Sequence, residues 1–497
     1  MSGIRLLDLI KPFASIVPEI ELPYEKSIFD EKVVYTIAIA VVYLLLGLPI
    51  NGVNDEKIAD PFSWLRGTFA SQPGTLLEFG VLPAVLSAFL WQILAGLKFI
   101  RIDFHSSNDR QLFQTLQKIT SIVFGLTFAA LLAFADYFEP IDYFTRTPEG
   151  SESLLSPSFM SKVLIVAELT VSNTIVTLLA ELLDKGYGFG PGILAFITVS
   201  SATTLSTSLL GLTTVWTPRG SESTGALVQF IRNLFSADSY SYAIYEAFTR
   251  QNLANLTQVY VAIAAFIVVV YLSNCRSEIS IKSSKVRSMV SVYPVKLVYC
   301  GAIPLIFTYA VLYAFNIVGF SASRIFAGNK FVELLGSWEL EPEFKRTSNL
   351  NSGLLFLISA APSSSNTILN LIRPFTYISF VVIVSTLFSE AWPGMSGSAP
   401  KDTAKQFKDQ DLALVGRRDI SVSKELAKVI IPSARIGAII TSFAAAFCEC
   451  SGRSKGLTYG TIAGILSGLS ILEELVQEWQ QTGAAANSQL SQFLPTQ

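Results

Sequence analysis

The sequence predicts an all-α membrane protein of ten transmembrane helices, and three observations carry that expectation. Of 497 residues, 51% are hydrophobic and 15% charged, with a mean hydropathy of +0.49; soluble domains carry roughly a quarter charged residues. Apolar runs of membrane-crossing length recur along the whole chain. Lysine and arginine crowd into alternate loops between those runs.

Runs of roughly 17 to 25 apolar residues match a hydrocarbon core about 30 Å thick. They fall at residues 33–50, 80–99, 113–134, 159–183, 190–212, 255–273, 294–317, 373–390, 430–448 and 457–476. Residues 1–32 hold Arg5, Lys11, Lys26 and Lys32 among acidic residues and prolines, with no short apolar core of the signal-peptide kind. The first span is therefore expected to target the chain.

An even number of spans puts both termini on one side, and the positive-inside rule says which. With the N-terminus in the cytosol, that side collects the four cations of segment 1–32, then Lys98, Arg101, Arg110, Lys185, and the loops 274–296 and 391–424. The opposite loops are longer yet poorer in cations; the connecting loop 213–254 holds Arg219, Arg232 and Arg250. Two halves follow, 33–212 and 255–476, with a cytosolic tail at 477–497. The Asn255 sequon abuts a helix start, a poor place for a glycan.

One helical segment is too short to span. Asp60 as N-cap, Pro61 in the first turn and the Trp64, Leu65, Phe69 spacing predict a helix over 60–71. It would be about 18 Å long. From these residues two placements stay open: a surface helix lying on the bilayer, or irregular chain at membrane depth, which survives only inside protein or beside a water-filled cavity.

Charges within the spans are scarce: Glu168 in the fourth, Arg435 in the ninth, and Lys118, Asp136 and Glu181 near span ends. A lone Glu168 is expected protonated or paired to a neighbouring helix. Cys275, Cys300, Cys448, Cys450 and His105 make no disulfide framework and no zinc-ligand spacing. The glycines from Gly186 to Gly192 alternate like a phosphate loop, but the preceding strand and the Walker ending are missing. They predict a tight cytosolic turn that starts the fifth span close to its neighbours. No cofactor, metal site or catalytic set is expected.

A series of short motifs then stands in one order: Asp60-Pro with Trp64-Leu-Arg66, Gly74-Thr-Leu-Leu-Glu-Phe-Gly80, Asp109-Arg-Gln-Leu-Phe, Lys185-Gly-Tyr-Gly-Phe-Gly, Ser284-Lys-Val-Arg287, Tyr293-Pro-Val-Lys-Leu, Ser396-Gly-Ser and Asp402-Thr-Ala-Lys-Gln-Phe-Lys-Asp-Gln410. Together they resemble the SecY family, in particular the alpha (pore) subunit of the eukaryotic Sec translocon, across nearly the whole chain. Within it, Ser2-Gly-x-Arg-Leu, Leu94-Ala-Gly-Leu-Lys98 and the tail at Gln480 resemble the second, paralogous fungal channel more than the principal one.

The resemblance implies a protein-conducting channel of the endoplasmic reticulum membrane, passing nascent secretory proteins across the bilayer and membrane proteins into it. It implies two five-helix halves in inverted relation, opening sideways between the second and seventh spans, with residues 60–71 as a re-entrant plug. It implies a pore ring of Val81, Val85, Ile193, Ile197, Ile306 and Ala463, where Ala463 is smaller than the family's usual residue and Ile462 is the alternative. Lys285, Arg287, Arg417 and Arg418 fall in the ribosome-contacting loops; from charge alone they equally obey the orientation rule or meet anionic lipid. Implied partners are the ribosome, through its RNA and exit-site proteins, small beta and gamma subunits, signal sequences, nascent chains and membrane lipids. A secondary transporter of small solutes is the rival; it needs polar sites at broken helices in both halves, against the apolar surroundings of Ile193 and Ile306.

Overall fold

Each apolar run contains a helix in the computed structural model, which describes residues 11–12, 17–25, 27–53, 60–97, 99–100, 102, 106–138, 159–217, 220–236, 240–250, 253–283, 290–340, 348–360, 367–414, 422–450 and 457–481. In chain order the helices are α1 (Phe29–Leu45), the single turn α2 (Ser63–Arg66), α3 (Leu82–Gly96), α4 (Ser107–Phe134), α5 (Phe159–Leu182) and α6 (Gly192–Leu210). The second half follows with α7 (Ala226–Ser236), α8 (Tyr240–Thr249), α9 (Leu256–Asn274), α10 (Ile303–Ile325), α11 (Lys330–Leu335) and α12 (Leu354–Leu357). Last come α13 (Thr367–Ser396), α14 (Pro400–Asp409), α15 (Val422–Cys450) and α16 (Leu457–Gln481).

Seven of these, α4, α5, α6, α9, α10, α13 and α15, are long and apolar enough to cross a membrane among the described residues. At 17 residues α1 reaches only about 25 Å, and at 15 residues α3 about 22 Å. α16 is long, but glycines, serines and the acids Glu473, Glu474 and Glu478 dilute it.

Burial follows the logic of a lipid solvent. α9 starts where the Asn255 side chain accepts from the Gln258 N–H at 2.9 Å, so the sequon asparagine serves as helix cap. It buries Gln258 and Ala262 while Ile263, Phe266 and Ile267 face outward. α10 is its opposite: two thirds of its apolar window lies inside the protein, and Leu305, Ile306, Tyr309, Leu312 and Tyr313 are buried along it. It is the central post of the bundle.

Three departures from the sequence expectation have local causes. The seventh helix begins at Ile303 rather than 294, because residues 290–296 form a strand and Gly301 turns the chain at φ +59°. The bundle is mostly helical as expected, but in the loops seven strands among the described residues form three small antiparallel sheets. Their pairs are β1 (Thr214–Thr217) with β2 (Gly220–Ser223), β3 (Arg276–Ser283) with β4 (Val290–Lys296), and β5 (Ser337–Leu340) with β6 (Ser348–Ser352); β7 (Leu412–Leu414) adds to β3. Finally, residues 60–71 are not one helix: only Ser63–Arg66 is helical, and Ala70 at φ +53° turns the chain away.

The few charges in the spans are paired or bonded. Lys118 meets Glu181 at 2.7 Å, Lys162 meets Asp136 at 2.6 Å, and Arg435 meets Glu390 at 2.6 Å. The Glu168 carboxylate accepts from the Asn51 N–H at 3.2 Å. In the glycine-rich turn, Asp184 accepts from the Gly192 N–H at 2.8 Å, fastening the start of α6 to the end of α5.

Candidate functional site

Non-helical backbone in an apolar bundle is costly unless its polar groups are met, and residues 60–80 meet many of theirs within the segment and others from α1 and α5. The Phe62 N–H donates to Asp60 at 3.1 Å, Ser71 to the Arg66 carbonyl at 3.3 Å, and Val81 to the Phe69 carbonyl at 3.0 Å. The last bond closes a loop whose return is Gly80, at φ +52°. A methyl group at Gly80 would stand 2.0 Å from the Phe69 carbonyl oxygen, so only glycine fits.

This segment sits inside the bundle, which excludes the surface-helix placement. Leu65 and Phe69 are 0% exposed, and Trp64 is buried as well. Aromatic rings enclose it: Phe62 packs at 5.6 Å on both Tyr313 and Phe320 of α10, Phe69 at 5.7 Å on Tyr313, and Trp64 edge-on at 6.2 Å to Tyr377 of α13. From α1, Tyr43 stacks on Phe196 at 4.3 Å and gives its hydroxyl to the Ala70 carbonyl at 2.7 Å. Gly460 of α16 lies so near Gly67 that an added methyl would come within 2.9 Å of its backbone.

At its centre is a buried arginine. Arg66 Nε and Nη2 clasp the two Asp60 oxygens at 2.7 and 2.9 Å. Nη1 reaches the Glu78 carbonyl at 2.9 Å, and Nη2 reaches Glu78 Oε1 at 2.6 Å and the Tyr137 hydroxyl at 2.9 Å. Glu78 Oε2 in turn accepts from the Gly74 N–H at 2.7 Å. A buried charge survives only with such a complete set of partners. Asp60 thus serves the guanidinium and one turn rather than capping a long helix. In the sequence Arg66 and Glu78 are letters of two motifs with no role of their own; the available signal was an arginine and an acid set twelve residues apart in an otherwise largely apolar stretch.

Val81, Val85, Ile197, Ile306, Ile462 and Ala463 are all buried in the same core as Leu65 and Phe69, and half-buried Ile193 packs against it. Ala463 and Ile462 are both fully enclosed, so burial does not choose between them. α16 is pinned beside α6, since Ser201 donates to the Gly460 carbonyl at 3.0 Å and Thr198 to that of Gly464 at 3.4 Å.

Where α3 passes α10 and α13, the contact is aromatic. Phe89 sits edge-on to Phe307 at 5.2 Å and to Phe388 at 5.3 Å, and Phe307 stacks on Phe388 at 4.0 Å. Such a seam holds by dispersion and ring geometry alone. It can part without leaving a charge unpaired.

The two basic loops form one unit. β7 pairs with β3, Ile281 opposite Leu414, and Ile281, Val295, Phe407, Leu414, Leu426 and Ile430 share a small core. Burial against Phe407 raises the Tyr293 phenol above its ordinary pKa, so it stays protonated. Lys401, Lys405 and Lys408 are exposed on α14 opposite buried Thr403 and Phe407. Lys285, Arg287, Arg417 and Arg418 lie outside the described residues, yet the chain ends they join, Ser283 and Leu414, belong to paired strands. Lys296 at the base of β4 forms an ion pair with Glu473 of α16.

Among the described residues no three His, Cys, Asp or Glu gather as a metal site. The SecY family model matches residues 75–472. The chain is 36% identical to the Sec sixty-one protein homolog of Saccharomyces cerevisiae, over 99% of both chains. It is 34% identical to the protein transport protein SEC61 subunit alpha of Yarrowia lipolytica, over 88% of this chain and 90% of that one. Among solved structures it superimposes on a chain of the idle yeast Ssh1 complex bound to the yeast 80S ribosome with a TM-score of 0.75, at 33% identity, covering 100% of this chain and 99% of that one. A protein conducting channel matches in fold with a TM-score of 0.73 at 24% identity, over 94% and 97%.

Proposed function

The chain belongs to the SecY family, and from that premise we propose that it is the pore subunit of a protein-conducting translocon in the endoplasmic reticulum membrane. Nascent secretory proteins pass through it across the bilayer, and membrane proteins leave it sideways into lipid. All ten apolar helices cross, in two inverted halves at 33–212 and 255–476, with both termini and the loops 274–296 and 391–424 in the cytosol. The observation that carries this reading is the non-helical segment 60–80 buried in the bundle, in the same core as Val85, Ile197, Ile306 and Ala463 and tied to Val81 through the Phe69 carbonyl. It has the form of a plug over an aliphatic constriction, which deforms around a passing chain yet stays dry when idle.

The aromatic seam of Phe89, Phe307 and Phe388 is the sideways exit. The ribosome is the proposed cytosolic partner, since the Ssh1 complex of yeast binds the 80S ribosome, and the fused basic loops supply phosphate-seeking Lys and Arg. Lys285, Arg287, Arg417 and Arg418 are the proposed contacts. Small beta and gamma subunits complete the assembly.

The test is translocation in liposomes reconstituted with the purified complex and programmed ribosomes carrying a secretory chain. Protease-protected product should appear with this complex and be lost when it is omitted. Absence of protected product from a correctly assembled complex would reject the assignment.

A further inference from the structure

The connection between the halves is built inside out. In a water-soluble helical hairpin the apolar faces meet and the polar faces look outward. α7 and α8 do the reverse. Gln229 accepts from the Ser223 N–H at 2.8 Å and donates to Asn233 at 2.8 Å, and Asn233 donates to Glu246 of α8 at 3.0 Å. Behind them Arg250 pairs with Glu222 at 2.9 Å and donates to the Ser223 carbonyl at 2.6 Å, all of it buried. The outward surface is largely apolar instead: Leu227, Ile231 and Phe235 on α7, Ile244, Tyr245 and Phe248 on α8, with Phe235 87% exposed and only Arg232, Ser241 and Thr249 as exposed polar residues among those described on the two helices.

That face runs without a break into the outward face of α9. Phe248 stacks on Tyr260 at 6.1 Å with the rings 12° apart, and Thr257 donates to the Phe248 carbonyl at 3.0 Å. Beyond Tyr260 the same surface continues as Ile263, Phe266 and Ile267. An apolar surface that leads directly onto a lipid-facing helix, with tyrosines at the join, has the pattern of an interfacial segment.

We propose that the α7–α8 hairpin lies in the bilayer interface, its outward face sunk among the acyl-chain segments nearest the headgroups of the leaflet on that side. The inference rests on the spanning reading given above. Its partner is phospholipid rather than a protein or a second copy, because the face continues a surface already turned to acyl chains. The buried Glu222–Arg250 network then acts as the polar spine that lets a hairpin wear its apolar residues outside.

The test uses the full chain with its co-purifying subunits in phosphatidylcholine liposomes carrying a phospholipid with a diazirine either near the acyl carbonyl or at mid-chain. After irradiation, adducts are mapped by mass spectrometry. The shallow probe should mark the peptides holding Ile231, Phe235 and Tyr245, and the mid-chain probe those holding Phe266 and Ile267. Ile231→Ser with Phe235→Ser should cut hairpin adducts about tenfold or more, since two large side chains lose their reason to leave water, and leave α9 adducts unchanged. Marking of α9 with an unmarked hairpin overturns the proposal and places the face in water or under protein. An unmarked α9 overturns the spanning reading, and the hairpin proposal falls with it.

Discussion

Arg66 and Glu78 meet twice across the loop they close: Nη1 on the Glu78 backbone carbonyl at 2.9 Å and Nη2 on its carboxylate at 2.6 Å. With Asp60 on the other side, the guanidinium is the rivet of the whole segment.

Replacing Arg66 with Met keeps the bulk and removes the charge, which strands two buried carboxylates. Breaking a buried pair in this way costs about 3–5 kcal/mol. The variant should show a lower melting temperature in detergent and faster proteolysis of residues 60–71. Adding Asp60→Asn and Glu78→Gln should restore part of the loss, because neutral amides are cheaper to bury unpaired. A single variant as stable and protected as the parent would deny the rivet its role.

Glycine 80 offers a cleaner contrast. Gly80→Ala puts a methyl group 2.0 Å from the Phe69 carbonyl, whereas Gly52→Ala, also at positive φ, meets nothing within 4 Å. Residue 52 should lose only the left-handed penalty of about 1–2 kcal/mol. Residue 80 should lose more and loosen the buried segment, seen as accelerated cleavage at 60–71. Equal melting shifts for the two would contradict the close approach.

The seal is tested by conductance. Ile193→Gly with Ile306→Gly removes two aliphatic side chains from the proposed constriction and should raise resting ion current through reconstituted bilayers, and deletion of 60–71 should add to it. Unchanged current in an assembled double variant would remove these residues from the seal. Loss of the protein itself would mark them as packing residues.

For docking, Arg287→Glu with Arg418→Glu should weaken co-sedimentation with empty ribosomes, and binding by the parent should fall as salt rises through counterion release. Arg232→Glu should leave docking intact. Binding indifferent to both the double reversal and moderate salt would clear the loops of this task.

Orientation has its own measurement. A membrane-impermeant thiol reagent should reach Ser283→Cys from the cytosolic side of sealed vesicles, as the crowded cations of its loop require. Labelling from the lumen alone would invert the topology.

Seven of the expected spans, among the described residues, were legible because lipid demands long apolar runs, and α9 with Ile263, Phe266 and Ile267 outward is such a run made visible. The boundary at Ile303 was not legible, since Val290 to Val298 is apolar enough for either a helix or a strand and only the pairing with β3 decides. The aliphatic ring residues could be named only from family resemblance, because in periodicity and burial they match the other packed residues of the same core. The Arg66 network escaped because its partners, Asp60, Glu78 and Tyr137, are brought together only by a non-helical path that no periodicity encodes.

The Val81 N–H bond to the Phe69 carbonyl ties the residue just before α3 to the buried segment 60–71. On the proposed reading, a passenger that wedged α3 away from α10 would pull that segment in the same stroke. The proposed sideways and transverse doors would then share a hinge, and each stretch of the passenger would choose between oil and water while both stood ajar.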